Sequence, residues 1–185
     1  LISAQEYPVM NEIILPGFIE GAKAVDNDIE VIFKIVGNWY DANKGAEIAR
    51  SLYNEGVAVI LPICRRAAQG VIATAKELGF YISWFDDNGF SKAPGYVISS
   101  SAMEQEKIAY EVATKYFEGK IEFGTATTVD IKDGYITLIT DDANFENHFS
   151  ESYKENLKES NIWSEPQKLD TLKELNKTIG LSSIF

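Results

Sequence analysis

One stretch of the chain, residues 31–79, constrains the fold more than any other because two kinds of apolar pattern alternate along it. Residues 29–36 are rich in β-branched side chains. Residues 57–63 are apolar without interruption, which is typical of a strand covered on both faces. Each of these segments is followed by apolar residues at helical spacing. The strand–helix–strand–helix order predicts a parallel sheet flanked by helices.

The same alternation continues on both sides of that stretch. Further strands are predicted at residues 1–4, 80–85 and 96–99, and further helices at residues 13–25 and 108–117. Pro16 and Gly17 lie inside the first of these helices and are expected to kink or split it. The sequence therefore predicts an α/β fold over residues 1–121, a Rossmann-like parallel sheet with right-handed crossovers.

The pattern changes in the C-terminal part of the chain, residues 122–185. Polar and apolar residues alternate over residues 127–131 and 135–139, on either side of an Asp-Gly pair, which is a strong signal for a β-hairpin. Residues 166–179 form a weak helical pattern at the end of an acidic tail. We therefore expect a hairpin and a helical tail, separate from the α/β lobe.

The composition limits the classes of partner. The chain has 28 acidic and 17 basic residues and a formal net charge of -11, whereas non-specific nucleic-acid binding requires a basic surface. We therefore expect no nucleic-acid partner. No apolar run approaches the roughly 18 residues of a membrane helix, so the sequence predicts a soluble chain. It begins at Leu1 without a methionine, which suggests a processed protein or a fragment.

Few residues favour an enzyme. Cys64 is the single cysteine, so no internal disulfide can form, and its apolar neighbours indicate a buried, unreactive thiol. His148 is the single histidine and lies in the acidic tail, away from every predicted strand end. The sequence contains neither a nucleophile elbow, nor a phosphate-binding loop, nor the Cys/His spacing of a metal site. We predict no catalytic residue, no metal and no cofactor.

Polar clusters follow four of the predicted strands. They are Asn38-Trp39-Tyr40-Asp41, Arg65-Arg66, Asp86-Asp87-Asn88 and Ser99-Ser100-Ser101. Ligands of open parallel sheets bind beyond the carboxyl ends of the strands, where these clusters are expected to meet. Aromatic rings offer flat faces, and carboxylates accept hydrogen bonds from sugar hydroxyls. The candidate ligand-binding residues are Asn38, Trp39, Tyr40, Asp41, Arg65, Arg66, Asp86 and Ser100.

Each cluster also has a purely structural interpretation. Trp39 could belong to the core, Asp41 could only cap a helix, and the cluster at Asp86 could be a turn. Arg65 and Arg66 open a predicted helix, where they would favour an anion, but they could equally pair with Asp41 or Asp86. The sequence leaves these alternatives open.

A series of motifs resembles a known family. The motifs are Pro16-Gly17-Phe18-Ile19-Glu20-Gly21-Ala22, Gly37-Asn38-Trp39-Tyr40-Asp41 with Lys44-Gly45, Gln69-Gly70-Val71 with Ala75-Lys76-Glu77-Leu78-Gly79, and Phe85-Asp86 before Pro94-Gly95. In order and spacing, over about residues 1–140, they resemble the basic membrane protein family of substrate-binding lipoproteins. That family includes the purine nucleoside receptors of ABC transporters.

The resemblance implies a type I periplasmic-binding-protein fold, in which two Rossmann-like lobes close on a ligand. This chain then corresponds to the C-terminal lobe, and its tail returns to the interlobe region or to a missing N-terminal lobe. It implies a nucleoside-like ligand, an ABC permease as partner, and a periplasmic or extracellular location with a lipid anchor in the full-length form. Apolar surface made for the missing lobe could instead drive formation of a homodimer.

By the same resemblance, the aromatic residue of the Gly-Asn-Trp-Tyr-Asp motif faces the ligand, and Asp86 faces the ribose hydroxyls. The chain departs from the family at two places. Arg65 and Arg66 replace a glycine-rich turn, and Met103 stands where a ribose-binding lysine is expected. These departures suggest a more anionic ligand, or a binding, regulatory or interaction protein without a transport role.

Overall fold

Short parallel strands built from the apolar segments form the centre of the fold. The computed structural model describes residues 1–127, 129 and 131–151. Seven strands are found in this part of the chain: β1 (Ile2–Ser3), β2 (Lys34–Ile35), β3 (Val59–Ile60), β4 (Pro62–Ile63), β5 (Tyr81–Asp86), β6 (Val97–Met103) and β7 (Ile136–Leu138). The strand order is β2-β1-β4 in one ladder and β3-β5-β6-β7 in the other. All pairs are parallel except β6 with β7.

A single extended segment joins the two ladders. It supplies β3 to one ladder and β4 to the other, with Leu61 between them. The N–H of Ile2 donates to Leu61 O, and that of Ala4 donates to Ile63 O. Pro62 has no N–H to offer on the opposite side, towards β5, which accounts for the β3–β5 ladder ending at Ile60. The predicted mixed α/β fold with a parallel sheet is confirmed.

Helices connect the strands at the predicted places. They are α1 (Leu15–Val25), α2 (Ala42–Asn54), α3 (Ala68–Leu78), α4 (Gln105–Phe117) and α5 (Ala143–His148). A π-helical turn, Met10–Ile14, precedes α1, and a 3-10 turn, Arg65–Ala67, precedes α3. The helical segment changes from π to α geometry at Leu15, next to Pro16 and Gly17, where the sequence predicts a kink or a split. Pro16 thus lies in the first turn of α1, where a missing N–H is tolerated.

Alternate residues of the central strands supply two hydrophobic clusters. Ile2 and Ile60 belong to the larger cluster, to which α2 and α3 contribute, whereas Leu1 and Leu61 belong to the smaller one, which Phe18 of α1 flanks. Successive side chains of a strand point to opposite faces, so the sheet is covered on both sides at residues 60–63, which are all buried. Ala58 and Val59, at the start of the apolar segment, are exposed.

Two glycines allow α2 and α3 to pack backbone against backbone. A Cβ atom added at Gly45 would overlap the carbonyl group of Ala67, and one added at Gly70 would overlap that of Ala42. These contacts lie at the N-terminal halves of the two helices. They therefore also bring the loops that precede α2 and α3 together.

Helix α4 carries an apolar face that the described residues leave open. None of its residues is buried, and Phe117 is 85% exposed. The face borders a shallow groove of about 540 Å³. The groove is lined by Gln105, Ile108, Ala109, Val112, Ala113, Tyr116, Phe117 and Ile121. Within the described residues, no helix is both long and apolar enough to cross a membrane.

The expected hairpin is only partly found. Its second arm contains β7, but this strand pairs antiparallel with β6, with Met103 opposite Ile136. Residues 131–134 are in turns, and residues 128 and 130 of the first arm lie outside the described residues. The second arm of the expected hairpin is thus paired with the edge of β6. The helix predicted at 166–179 also lies outside the described residues.

Candidate functional site

The loops after β1, β2, β4 and β5 meet at one edge of the sheet. The ring of Tyr7, after β1, lies 6.0 Å from that of Trp39, after β2. The guanidinium carbon of Arg65, after β4, lies 5.9 Å from the centre of the Trp39 ring. In the strand order, β2 and β4 lie on opposite sides of β1. This is the topological switch point, where open α/β sheets bind ligands.

The loop after β2 is shaped by its own polar side chains. The Asn38 side-chain oxygen accepts hydrogen bonds from the N–H groups of Tyr40 (3.0 Å) and Asp41 (2.8 Å). The Asp41 carboxylate caps α2 by accepting from the N–H of Lys44 (2.9 Å), as the helix-cap interpretation predicts. Tyr40 is largely exposed. Asn38 and Asp41 therefore hold the loop in shape.

Trp39 is both a core residue and a surface of the site. It is partly buried and packs against the larger hydrophobic cluster, while Tyr7 and Arg65 border its ring. Its carbonyl oxygen accepts a hydrogen bond from the N–H of Ala67 (3.4 Å), which ties its loop to the start of the helical segment after β4. The two interpretations of Trp39 are therefore compatible.

Arg65 and Arg66 form no ion pair with any of the described residues. The pairing with Asp41 or Asp86 left open above is thus not formed there. Both arginines are exposed, and Arg65 has a φ of 47° in the left-handed region. Backbone strain of this kind persists only where the surroundings impose it, and it is common in ligand sites.

Asp86 ends β5 beside these groups. It too has a positive φ, 90°, and no hydrogen-bond donor among the described residues reaches its carboxylate. Partial desolvation raises the pKa of Asp86, the charge of Asp87 raises it further, and the charge of Arg65 opposes both. Desolvation and then the charge of Asp86 raise the pKa of Tyr7. Asp86, Arg65 and Tyr7 therefore share one electrostatic environment.

Ser100 lies elsewhere than expected. The residues Ser99, Ser100 and Ser101 are inside β6 rather than beyond its end, because this strand continues to Met103. Ser100 is fully buried, and its Oγ accepts from the N–H of Gly89 (2.9 Å) and donates to the carbonyl oxygen of Asp87 (2.9 Å). These two hydrogen bonds stabilise the loop after β5.

The sequence analysis missed one residue of this edge, Tyr7, and one contact of a predicted cluster residue, Asn88. Tyr7 follows β1 just as the clusters follow the other strands, so the same strand-end rule could have found it. Asn88 donates to the carboxylate of Asp142 (2.8 Å), which caps α5. Desolvation disfavours ionisation of Asp142, but this bond and those from backbone N–H groups outweigh it and lower its pKa. No local sequence pattern predicts the contact of Asn88 with Asp142, because the two residues are 54 positions apart.

The single cysteine and the single histidine lie away from the candidate ligand-binding surface. Cys64 is fully buried as predicted, and desolvation raises the pKa of its thiol to about 12. The Nδ1 atom of His148 lies 2.8 Å from the carbonyl oxygen of Asn144 within α5. The described part of the chain contains no group of three or more potential metal ligands.

Solved structures share this fold. A transcriptional activator of the comK gene from Bacillus halodurans matches with a TM-score of 0.69 and 24% identity, over 86% of this chain and 53% of that one. An ABC transporter solute-binding protein from Aeropyrum pernix matches with a TM-score of 0.64 and 17% identity, over 96% and 54% of the two chains. The chain therefore shares its α/β fold with these proteins and matches about half the length of each.

Sequence comparisons identify the protein family to which the chain belongs. Basic membrane protein D of Borreliella burgdorferi is 31% identical over 150 residues, which are 80% of this chain and 44% of that protein. The ABC transporter nucleoside-binding protein BmpA of Lactococcus lactis is 29% identical over 70% of this chain and 42% of that protein. The chain thus spans less than half the length of these relatives. The family model for PnrA-like ABC transporter substrate-binding proteins matches residues 1–168. The chain belongs to this family of substrate-binding proteins.

Proposed function

We propose that the chain forms one wall of the ligand cleft in the solute-binding component of an ABC importer. The single observation that carries this proposal is the meeting of Tyr7, Trp39, Arg65 and Asp86 at the switch point of the sheet. The family and the named nucleoside-binding relative support a nucleoside-like ligand. Such a protein delivers its ligand to a membrane permease from the periplasmic or extracellular side, and a lipid anchor would hold it there.

The available groups suit capture without chemistry. Trp39 offers part of an aromatic face to a flat ring, and the Asp86 carboxylate, which no donor among the described residues reaches, can accept hydrogen bonds from ribose hydroxyls. Closure of a second lobe over these groups would exclude water and hold the ligand. No step of this process requires a bond to be made or broken, so we propose a binding protein rather than an enzyme.

Binding of nucleosides tests the proposal directly. Isothermal titration calorimetry of the full-length protein against a panel of nucleosides is expected to show saturable binding of at least one member. Trp39→Leu keeps apolar packing but removes the aromatic face. It should weaken that binding about 10- to 100-fold, because stacking of a base on an aromatic ring contributes about 1–3 kcal/mol.

Tyr53→Leu is the matched control, because Tyr53 is a half-exposed aromatic residue near the other end of α2. It should bind like the wild type. Thermal melts of both variants separate loss of binding from loss of folding. Absence of heat with every nucleoside, or equal affinities for Trp39→Leu and the wild type, would contradict the proposal.

We further propose that the apolar face of α4 meets the second lobe of the binding protein. The relatives are more than twice as long as the regions that match, and the solved solute-binding protein is matched over 54% of its length. The remaining part of such a protein is large enough to cover α4 and to supply the opposite wall of the cleft. The boundary predicted at residue 121 falls just after α4, which ends at Phe117, but β7 and Phe145 beyond it return to the same sheet and core.

Phe117→Asp tests this surface. In the 185-residue chain alone, the substitution should leave the melting temperature within about 2 °C of the wild type, because surface changes rarely exceed 0.5 kcal/mol. It should reduce both self-association in light scattering and binding of an apolar dye. Tyr110→Asp, on the same helix but outside the groove, should change neither. In the full-length protein, Phe117→Asp should destabilise the protein, and an unchanged melting temperature there would overturn the proposed contact.

A further inference from the structure

We propose that the ligand carries an anionic group, a phosphate or a carboxylate, next to its flat ring, and that Arg65 and Arg66 bind this group. The inference rests on the proposed function and narrows its ligand class. Its basis is the guanidinium group of Arg65 beside Trp39, with Arg66 next to it in the chain, neither in an ion pair with a described residue, in a protein of net charge -11.

The distribution of arginine is the first observation. The whole sequence contains only three arginines, and two of them are adjacent at this edge of the sheet. The third, Arg50, makes a bidentate ion pair with Glu77, with N–O distances of 2.9 and 2.7 Å. Arg65 and Arg66 have no such partner among the described residues. Two positive charges are therefore left available where the ligand is expected.

The nearby carboxylates have other hydrogen-bond partners or none. Asp41 caps α2. Asp87 accepts hydrogen bonds from the Trp84 ring N–H (2.6 Å) and from the Lys92 ammonium group (3.1 Å). Asp86 is the one carboxylate of these clusters without such a partner in the described part of the chain. None of the three forms an ion pair with Arg65 or Arg66, so the N–H donors of both arginines stay available to a ligand.

The position of Arg65 suits an anion. Its guanidinium carbon lies 5.9 Å from the Trp39 ring centre, in a cation–π contact. A guanidinium that contacts a ring and no carboxylate keeps its planar fork of N–H donors available for bidentate bonds to a phosphate or carboxylate. A ring near Trp39 would place its attached anion within reach of these donors.

Matched ligand pairs test the inference in the full-length protein. Calorimetry compares uridine with uridine monophosphate and uracil with its 6-carboxylate, with inorganic phosphate measured alone. The anionic member of at least one pair should bind 10-fold or more tightly, and this preference should shrink between 50 and 500 mM KCl because salt screens exposed charges. A preference in the uridine pair alone would identify the anionic group as a phosphate, and saturable binding of inorganic phosphate would support the same conclusion. A preference in the uracil pair alone would identify it as a carboxylate.

Variants assign the preference to the arginines. Arg65→Gln should lower affinity for the anionic ligand about 10- to 100-fold, the range expected for a charged hydrogen bond, and should leave the neutral ligand almost unchanged. Arg66→Gln should have a smaller effect of the same kind, and Arg50→Gln none. Equal binding of neutral and anionic members, or a preference that survives in both variants, would overturn the inference while the proposed function stood. Absence of binding by every ligand would overturn both.

Discussion

Replacing Gly70 with alanine is expected to destabilise the protein by about 2–3 kcal/mol, although alanine normally favours helices. The added methyl group would overlap the carbonyl group of Ala42, which is backbone and cannot rotate away. The helices α2 and α3 must therefore separate. Thermal unfolding should show a decrease in melting temperature of about 4–12 °C. Gly45→Ala should act in the same direction, through Ala67.

Gly21→Ala is the matched control. Gly21 is an exposed glycine in the interior of α1, and a Cβ atom there would meet nothing within 4 Å. The substitution should stabilise the protein by about 0.5–1 kcal/mol, because it reduces the entropy of the unfolded chain. If Gly70→Ala behaved like Gly21→Ala, the close packing of α2 on α3 would be refuted.

Truncation of Phe145 to alanine is expected to cost about 3–5 kcal/mol. The side chain is fully buried, and its ring lies 5.2 Å from that of Phe90 and 5.5 Å from that of Phe149. The cavity would loosen α5, whose N-cap Asp142 accepts a hydrogen bond from Asn88. Chemical denaturation should show a lower midpoint. Ligand affinity should decrease as well, because Asn88 lies two residues from Asp86.

Phe123→Ala provides the comparison, since Phe123 lies outside the hydrophobic clusters and is 78% exposed. It should change the free energy of unfolding by less than about 0.5 kcal/mol. A small effect of Phe145→Ala, similar to that of Phe123→Ala, would mean that α5 is not an integral part of the core.

Local patterns were sufficient for most of the fold. The cap at Asp41 follows from backbone hydrogen bonding within a few residues, and the structure confirms it. The strand predicted at residues 57–63 is found as two short strands, β3 and β4, in different ladders. The family resemblance was also present in the motifs. Gly45 and Gly70, which belong to those motifs, have a physical reason to be glycine in the contact of α2 with α3.

The errors arose where pairing between distant residues decides the structure. An alternating pattern around a turn predicts a strand, but it does not say which neighbours the strand will pair with, and the pairing of β7 with β6 was not predicted. In the same way, the extent of β6 depends on β5 and β7, so Ser100 could not be placed from its own surroundings in the sequence. The ligand roles of the candidate residues stay predictions.

The hydrogen bond from the N–H of Ala67 to the carbonyl oxygen of Trp39 has a consequence for redesign. It fastens the loop before α2 to the segment before α3, and the contacts at Gly45 and Gly70 fix the helices behind them. Trp39 and Arg65 therefore belong to one rigid unit. To exchange ligand specificity between relatives, both loops and the two glycines would have to be replaced together. Either loop alone would lack the other loop and the helix contact that fix its position.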